Sequence, residues 1–248
     1  MTPALSIVMP AHNEGPHIEA SVREWLDAVS PLVPDVELIV VDDRSTDDTG
    51  TRLARMAQTV PNLRVLTTPT NVGHGPAVRL GLLASRGLHV FQTDSDRQHA
   101  PADFQRLWDA RHRAPFVFGV RERRADGPVR AVISSALRLV NLLTWGYAIR
   151  DANCPFKLMA SDAMRALLAE TPADTFIPMV MVSVLARYRG YEVVEVPVQH
   201  FPRSAGQQSL RGLGRWLRVG TACTRQMVML RLSTRRTSRA AAGKGHAT

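Results

Sequence analysis

Three oxygen-bearing side chains follow an apolar run, residues 88–93, near the middle of this 248-residue sequence. Asp94, Asp96 and Gln98 are spaced two apart, so in an extended segment their side chains share one face. Carboxylate and amide oxygens suit a hard cation such as Mg²⁺ or Mn²⁺, which keeps waters and substrate phosphates as its other ligands. Loop carboxylates also cap helices, and a helix is predicted to open near Pro101. The position at a strand end favours the metal site, with Asp94, Asp96 and Gln98 as ligands.

A second acidic cluster follows the apolar run at residues 37–41. Asp42 and Asp43 come directly after this run, where a carboxylate can accept hydrogen bonds from a nucleobase N–H or from ribose hydroxyls. Residues 45–48 can cap the helix that follows, which explains Asp47 or Asp48 but not two acids at the strand terminus. This pattern indicates a nucleoside site.

Residues 71–76 (Asn-Val-Gly-His-Gly-Pro) read as a turn into a helix. Two glycines are typical of a phosphate-binding loop, but the third glycine of the dinucleotide-binding pattern is missing. We interpret the segment as a backbone turn near the donor and not as a pyrophosphate cradle.

Strand and helix patterns alternate over the first 120 residues, which predicts a mainly parallel sheet with helices on both faces. The predicted strands are Leu5–Pro10, Glu37–Val41, Leu63–Thr67, Leu88–Thr93 and Phe116–Val120, and the predicted helices are residues 16–29, 47–59, 75–86 and 101–112. Such sheets bind ligands where loops leave the carboxyl ends of the strands. The polar segments 12–14, 42–45 and 94–96 all occupy that position.

The second half is predicted to begin with a long amphipathic helix at residues 128–147. A turn at 151–155, helices to about Arg189 and a strand at Glu192–Val198 follow. Residues 210–232 mix apolar side chains with arginines, as an interfacial helix does, and the end after 233 looks disordered. We therefore expect one domain at residues 1–210 and a basic tail at 211–248.

The net charge of +9 is unevenly distributed along the chain. Residues 1–195 carry 21 basic and 22 acidic side chains, whereas the last 53 residues carry ten basic ones and no acid. A basic tail favours an anionic partner, either a membrane surface or nucleic acid, although a solvated, partly disordered end has the same composition. The tail has few aromatic residues and no recognised nucleic-acid module, so we expect no nucleic-acid partner.

Two distant cysteines, Cys154 and Cys223, indicate a reducing compartment and neither a disulfide framework nor a zinc site. The N-terminus lacks a signal-peptide pattern, and no run approaches the roughly 18 apolar residues of a spanning helix. We expect a cytoplasmic protein without a transmembrane segment, peripheral on the inner face of a membrane.

Taken together, these segments resemble the family-2 glycosyltransferases, in particular the dolichol-phosphate mannose synthases and bacterial polyprenyl-phosphate glycosyltransferases. Six segments carry the resemblance in order over residues 5–210: SIVMPAHNE (6–14), VDDRSTD (41–47), the Asn71/Gly73 turn, DSDRQH (94–99), DANCPFK (151–157) and EVPVQHFPR (195–203). The resemblance implies a GT-A fold and inverting transfer of a sugar from GDP-mannose or a UDP-hexose to a polyprenyl or dolichyl phosphate.

The resemblance also assigns residues to the donor, the metal and the acceptor. The donor-binding set is Pro10, Ala11, Asn13, Glu14, Asp42, Asp43 and Asp94. The catalytic set is Asp96, Arg121, Asp151 and Arg203, and the acceptor-binding set is Arg130, Ser134, Lys157 and His200. Arg121 and Arg203 are expected to pair with donor or acceptor phosphates, since a planar guanidinium suits phosphate. Asp151 is the candidate general base if the acceptor is a hydroxyl.

The sequence departs from the family pattern after Arg203, because the lysine of the usual R-x-x-G-x-S-K segment is missing. The acceptor is therefore less well defined than the donor, and a saccharide or small-molecule hydroxyl remains an alternative. A sugar-phosphate nucleotidyltransferase would need a glycine-rich, lysine-containing loop after the first strand. An NAD-dependent oxidoreductase would need a three-glycine turn there. Residues 12–14 (His-Asn-Glu) stand in that place instead.

Overall fold

The computed structural model of the chain describes residues 2–122, 139, 142–146, 149–202 and 220–234. The chain divides into two compact units. Unit 1 comprises Met1–Ala125 and Asp151–Gln207, and unit 2 comprises Asp126–Arg150 and Gln208–Thr248. Residues 126–150, which we placed in the first domain, thus group with the C-terminal residues, and the boundary at residue 210 stays a prediction.

A seven-stranded sheet forms the centre of unit 1, with the strand order β3-β2-β1-β4-β6-β5-β7. The strands are β1 (Leu5–Ala11), β2 (Val36–Asp42), β3 (Leu63–Thr67), β4 (His89–Gln92), β5 (Phe116–Arg121), β6 (Lys157–Ala160) and β7 (Val193–Val198). All pairings are parallel except those of β6, which runs antiparallel to β4 and to β5. Every residue of β1 and β2 is buried, as expected for parallel strands covered on both faces. The predicted α/β class with a mainly parallel sheet is confirmed.

Helices connect the parallel strands and cover the sheet. They are α1 (Gly15–Val29), α2 (Thr49–Ala57), α3 (His74–Ala84), α4 (Phe104–Ala110, after a 3₁₀ turn at Pro101–Asp103), α5 (Ser161–Ala169) and α6 (Pro178–Tyr188). On α1, Ile18, Val22 and Trp25 recur at helical spacing and are buried. The Trp25 ring lies 5.2 Å from Phe91 of β4 and 5.8 Å from Phe156, so this aromatic cluster lies directly below the loops that end β4 and precede β6.

Strand β6 was not predicted, since its four residues follow a turn in a region that otherwise has helical periodicity. Because β6 is antiparallel, it begins at the edge of the sheet where its parallel neighbours end. Lys157 is in register with Gln92 of β4 and with Phe118 of β5. The turn before Lys157 therefore lies at the same edge as the polar loops.

Of the described residues of unit 2, residue 139, residues 142–145 and residues 220–234 are helical. Trp145 is buried, and the guanidinium of Arg231 lies 5.2 Å from its ring centroid. Most of the predicted helix 128–147, the segment 210–219 and the end after residue 234 lie outside the described residues. Within the described ranges, no helix combines the length and the apolar composition that crossing a membrane would require.

Helix α3 approaches its neighbours closely at two glycines. A Cβ on Gly81 would lie 2.4 Å from Cγ1 of Val8 on β1. A Cβ on Gly75 would lie 2.5 Å from the carbonyl oxygens of both Thr175 and Phe176. The first turn of α3 thus packs against the backbone that leads into α6, and only a glycine fits there.

We expect Gly75→Ala to lower the free energy of unfolding by about 1–3 kcal/mol, because two backbone carbonyls would have to move to admit the methyl group. Gly220 is a matched helical control, since nothing lies within 4 Å of the position that a Cβ would take there. Urea denaturation of both variants measures the difference. Equal stability of Gly75→Ala and the wild-type protein would contradict the close packing.

Candidate functional site

The loops after β1 and β2 are joined into one wall by Asn13. Its Oδ1 accepts a hydrogen bond from the backbone N–H of Thr46 at 2.8 Å, and its own backbone N–H donates to Oγ of Ser45 at 3.0 Å. Asn13 has a left-handed backbone with φ of 54°, a conformation that asparagine tolerates well. The predicted donor residues on these two loops therefore lie together at the carboxyl edge.

Buried acids anchor this wall. Oδ1 of Asp42 accepts hydrogen bonds from the backbone N–H of Ser45 at 3.0 Å and from its Oγ at 2.5 Å. The backbone N–H of Glu14 donates to Oγ1 of Thr49 at 2.9 Å, and the Glu14 side chain is buried. Pro10 and Ala11 lie at the end of β1, opposite Val41 and Asp42. The two neighbouring strand ends thus position all of these residues.

Asp43 shapes the turn before α3. Its Oδ1 accepts hydrogen bonds from Oγ1 of Thr68 at 3.0 Å and from the backbone N–H of Val72 at 2.8 Å, and its Oδ2 accepts one from the N–H of Gly73 at 2.8 Å. Gly73 has a φ of 90°, which glycine adopts without steric cost. Both carboxylate oxygens thus accept hydrogen bonds from the protein itself, so Asp43 holds the turn before α3 in place beside the predicted donor residues.

Asp94 lies at the centre of a cluster of charged groups. Its Oδ1 accepts hydrogen bonds from Nε2 of His74 at 3.1 Å and from Nε2 of Gln92 at 3.2 Å. Desolvation lowers the pKa of His74, but Asp94, Asp96 and Asp43 outweigh it and raise that pKa above its usual value. Burial raises the pKa of Asp94, but His74 first, and then His99 and Arg121, outweigh this and lower that pKa. The carboxylates of Asp94 and Asp96 therefore act on one and the same imidazole.

Asp96 and Gln98 hold the loop that follows β4. Oδ1 of Asp96 accepts a hydrogen bond from the backbone N–H of Gln98 at 3.2 Å. Nε2 of Gln98 donates to the carbonyl of Phe201 at 3.1 Å, and the N–H of Phe201 donates back to the Gln98 carbonyl at 2.8 Å. This exchange ties the predicted metal loop to the segment that follows β7, and it leaves Oε1 as the side-chain atom of Gln98 suited to a cation.

The described part of the chain contains no group of three or more histidine, cysteine, aspartate or glutamate side chains arranged to hold a metal ion. A cation at Asp94 and Asp96 would therefore take few protein ligands. Mg²⁺ and Mn²⁺ commonly bind in this way, through one or two carboxylates together with substrate phosphates and water. The side-chain oxygens of Asp94, Asp96 and Gln98 are suitable ligands for such an ion, and metal binding stays a prediction.

Arg121 and Asp151 form a buried ion pair at the end of β5. Nε and Nη2 of Arg121 donate to the two carboxylate oxygens at 2.7 and 2.8 Å, and the side chains are only 9% and 2% exposed. Protonation of Asp151 would break this bidentate pair, so the pairing weighs against the role of general base that we considered for it. It also fixes the plane of the guanidinium.

Lys157 lies below the surface, in contrast to the acceptor contact predicted for it. Its Nζ is fully buried and donates to the carbonyls of Cys154 at 2.7 Å and Ala152 at 3.1 Å. The prediction missed this because the antiparallel strand that carries Lys157 was itself missed. His200 is partly buried, with its ring 5.3 Å from that of His99. Arg130, Ser134 and Arg203 lie outside the described residues.

Two histidines of the site were not predicted. His74 lies in a segment that we interpreted only as a turn. It begins α3, and the first residue of a helix that follows a strand lies near the carboxyl ends of the strands. His99 is buried, and burial lowers its pKa to about 4 against the opposing effect of Asp94. Its position directly after Gln98 was the available signal. His99 is therefore a neutral side chain at neutral pH.

The family model described as "Glycosyl transferase family 2" matches residues 6–170, which cover β1 to α5 and every charged loop described above. The chain belongs to glycosyltransferase family 2. The family that we inferred from six short segments is thereby confirmed.

Similar curated proteins are transferases that are named for lipid phosphates. The chain is 29% identical over 209 residues to the undecaprenyl-phosphate 4-deoxy-4-formamido-L-arabinose transferase of Edwardsiella ictaluri, covering 82% of this chain and 62% of that protein. It is 26% identical over 224 residues to a dolichyl-phosphate beta-glucosyltransferase of Trichomonas vaginalis, covering 84% and 69%. A Pseudomonas fluorescens protein with the former name is 30% identical over 205 residues, covering 82% and 58%. The chain thus spans about three fifths to two thirds of the length of these relatives.

Solved structures agree on the fold. The glucosyl-3-phosphoglycerate synthase of Mycobacterium tuberculosis, in complex with Mn²⁺, UDP and phosphoglyceric acid, superposes with a TM-score of 0.66 at 23% identity and covers 93% of this chain and 78% of that one. Its complex with phosphoglyceric acid gives a TM-score of 0.64 at 24% identity, covering 93% and 79%. The predicted GT-A fold is confirmed.

We expect Asp43→Asn to lower the free energy of unfolding by about 2 kcal/mol, because each carboxylate oxygen accepts one backbone N–H in a buried turn and an amide NH₂ would replace one of these two oxygens. Asp27→Asn on the exposed side of α1 is the control and should change it by less than about 0.5 kcal/mol. Urea denaturation provides both values. If the two variants are equally stable, Asp43 does not organise the turn.

Proposed function

We propose that this glycosyltransferase moves a sugar from a nucleotide-diphosphate sugar to a polyprenyl phosphate, with inversion at the anomeric carbon. The observation that carries the proposal is the pairing of opposite charges at one sheet edge, where the acidic loop of Asp94 and Asp96 follows β4 and the fixed guanidinium of Arg121 ends β5. Arg121 acts on Asp94 and lowers its pKa, so the two groups lie within electrostatic reach of each other.

The nucleoside of the donor is assigned to the wall formed by residues 10–14 and 42–47. This wall combines a buried carboxylate, Asp42, with the loop that Asn13 holds in place. A buried carboxylate can accept hydrogen bonds from a base or a ribose. The complexes of the mycobacterial synthase with UDP-glucose support a nucleotide sugar as the donor class. GDP-mannose and UDP-hexoses are the candidate donors.

A divalent cation is assigned to Asp94, Asp96 and Gln98. When bound, Mg²⁺ or Mn²⁺ would supply positive charge as a Lewis acid to the departing diphosphate. His74 carries a raised pKa because carboxylates surround it, which indicates that this place favours a cation. The complexes of the mycobacterial synthase contain Mn²⁺, and this supports the same metal class here.

In the proposed reaction, an oxygen of the acceptor phosphate forms a bond to the anomeric carbon while the bond from that carbon to the diphosphate oxygen breaks. The electron pair leaves with the nucleoside diphosphate, where Arg121 and Arg203 stabilise the developing charge. A lipid phosphate is already ionised at neutral pH, so no side chain has to remove a proton. A hydroxyl acceptor would need a base, and the pairing of Asp151 with Arg121 makes that carboxylate a poor one.

The proposal predicts sugar transfer to undecaprenyl phosphate from UDP-glucose or GDP-mannose in the presence of MnCl₂, detected as a labelled lipid product. EDTA should stop the transfer. Asp96→Ala should lower kcat by at least about 100-fold, since it removes a charge that holds the cation near the leaving group. Thermal shifts with each nucleotide sugar, with and without Mn²⁺, identify the donor, because a bound ligand stabilises the folded state.

Asp109→Ala on the exposed face of α4 is the matched control and should retain wild-type turnover. Metal-independent transfer, or unimpaired turnover of Asp96→Ala, would remove the metal site from the proposal. Transfer to 3-phosphoglycerate or to a saccharide, without transfer to undecaprenyl phosphate, would show that the acceptor is a hydroxyl and not a lipid phosphate.

Peripheral contact with an anionic membrane is the second part of the proposal, and it rests on unit 2. Exposed apolar side chains lie on each of its described helical segments: Leu139, Leu142, Leu143, Val228, Met229 and Leu232. The last 53 residues carry ten basic side chains and no acidic one. Exposed apolar groups together with basic charge are typical of helices that lie at a membrane surface.

Leu143→Glu should weaken binding to vesicles that contain anionic lipid at least about fivefold, because Leu143 is 77% exposed and would bring a negative charge to the lipid surface. Leu88→Glu, at a 63% exposed position in unit 1, is the control and should bind like the wild-type protein. Vesicle sedimentation measures both. Equal binding of the two variants would argue against unit 2 as the membrane contact.

A further inference from the structure

Lys157 is a fully buried ammonium that the proposed reaction does not use directly. It begins β6, in register with Gln92 at the end of β4 and with Phe118 near the end of β5. Its Nζ lies 5.0 Å from the centroid of the Phe118 ring. Lys157 thus stands between the strand that leads to Asp94 and the strand that ends at Arg121.

The ammonium is bound to backbone and holds a turn in place. Nζ donates to the carbonyls of Ala152 and Cys154, and the N–H of Cys154 donates to the carbonyl of Asp151 at 3.1 Å. Burying a charged ammonium costs several kcal/mol unless hydrogen bonds and nearby charges compensate for it. A leucine or methionine could fill this space without that cost, so the lysine has to be explained by what its hydrogen bonds fix.

The turn that Lys157 holds carries the partner of Arg121. Asp151 is the first residue of this turn. Its carboxylate accepts hydrogen bonds from Nε and Nη2 of Arg121 and from the Arg121 backbone N–H, the last at 3.3 Å. Contacts therefore run without interruption from Lys157 through the turn to Asp151, and from there to the guanidinium. Each of these side chains is buried or nearly so, which leaves little room for an alternative arrangement.

We propose that Lys157 is a positioning residue for glycosyl transfer: through the carbonyls of Ala152 and Cys154 it fixes Asp151, and Asp151 fixes the Arg121 guanidinium that faces the reacting phosphates. This inference rests on the proposed function, in which Arg121 stabilises charge on a phosphate. It reassigns Lys157 and Asp151 from acceptor binding and base catalysis to the support of a single arginine.

The test is a double-mutant comparison of kcat and of KM for the nucleotide sugar. Lys157→Met keeps most of the side-chain volume but removes the hydrogen bonds, and we expect kcat to fall about 10- to 100-fold with KM changed less than about threefold, because a displaced arginine costs transition-state contacts. Lys157→Arg, which keeps a cationic donor, should stay within about fivefold of the wild-type kcat. In an Arg121→Gln background, Lys157→Met should change kcat less than about threefold, since the group that it positions is gone.

Asp151→Asn probes the same link with little change in shape, and it serves if Lys157→Met does not fold. Its loss of kcat should likewise disappear in the Arg121→Gln background. Thermal denaturation of each variant separates folding from turnover. A folded Lys157→Met with wild-type kcat would overturn the proposal, as would losses in Lys157→Met or Asp151→Asn that multiply with the loss in Arg121→Gln.

Wild-type turnover with undecaprenyl phosphate tests the proposed function by itself. If the wild-type protein transfers no sugar, calorimetric titration of UDP and GDP in MnCl₂ compares the same variants without turnover. Free UDP and GDP carry on their terminal phosphate the charge that a nucleotide sugar develops only in the transition state, so their affinity reports on Arg121 even where KM for the nucleotide sugar does not. Arg121→Gln and Lys157→Met should then weaken UDP and GDP binding to a similar extent, and the double variant should bind no more weakly than Arg121→Gln alone. Unchanged nucleotide affinity of Lys157→Met would overturn the positioning role.

Discussion

The site depends on charged side chains that are held at strand ends by the protein's own hydrogen bonds. Asp42 and Asp43 accept backbone N–H groups from the loops that follow them, and Asp151 accepts two guanidinium N–H groups. Buried carboxylates tolerate this position because each gains several donors. As a result, hydrogen bonds to these carboxylates hold the loops at this edge in place, and the strands hold the carboxylates in place. A ligand would meet a prearranged set of charges there.

The antiparallel strand β6 allows this edge to carry a positive charge beside its acidic loops, because the turn before β6 holds Arg121. In a wholly parallel sheet, every strand brings its carboxyl end to the ligand-binding edge. Strand β6 instead brings its first residue, Lys157, and the turn before it, in which Asp151 binds Arg121 at the end of β5. Arg121 is thereby held beside the acidic loop of Asp94, close enough to lower its pKa. Charges of both signs at one place suit a diphosphate together with a cation.

Sequence patterns predicted six of the seven strands, since each is an apolar run of ordinary length. Strand β6 escaped because it lies in a region that otherwise has helical periodicity, and its partners are about 40 to 70 positions away in sequence. The edge that carries the site was likewise predictable, because polar residues follow the strands directly. Individual roles were not: the partners of Asp43 lie about 25 to 30 residues further along the chain, and those of Lys157 are backbone carbonyls. Such roles depend on tertiary contacts that periodicity does not contain.

The proposed acceptor rests on two separate features, the buried ion pair of unit 1 and the exposed apolar side chains of unit 2. A site that binds its best-placed carboxylate in an ion pair is poorly equipped to deprotonate a hydroxyl, but it can serve an acceptor that arrives ionised. A polyprenyl phosphate is such an acceptor, and its hydrocarbon chain keeps it in a membrane. The same polypeptide exposes leucines and a methionine on helical segments, at Leu143 and Met229 among others. Both features support the lipid phosphate that we propose as the acceptor.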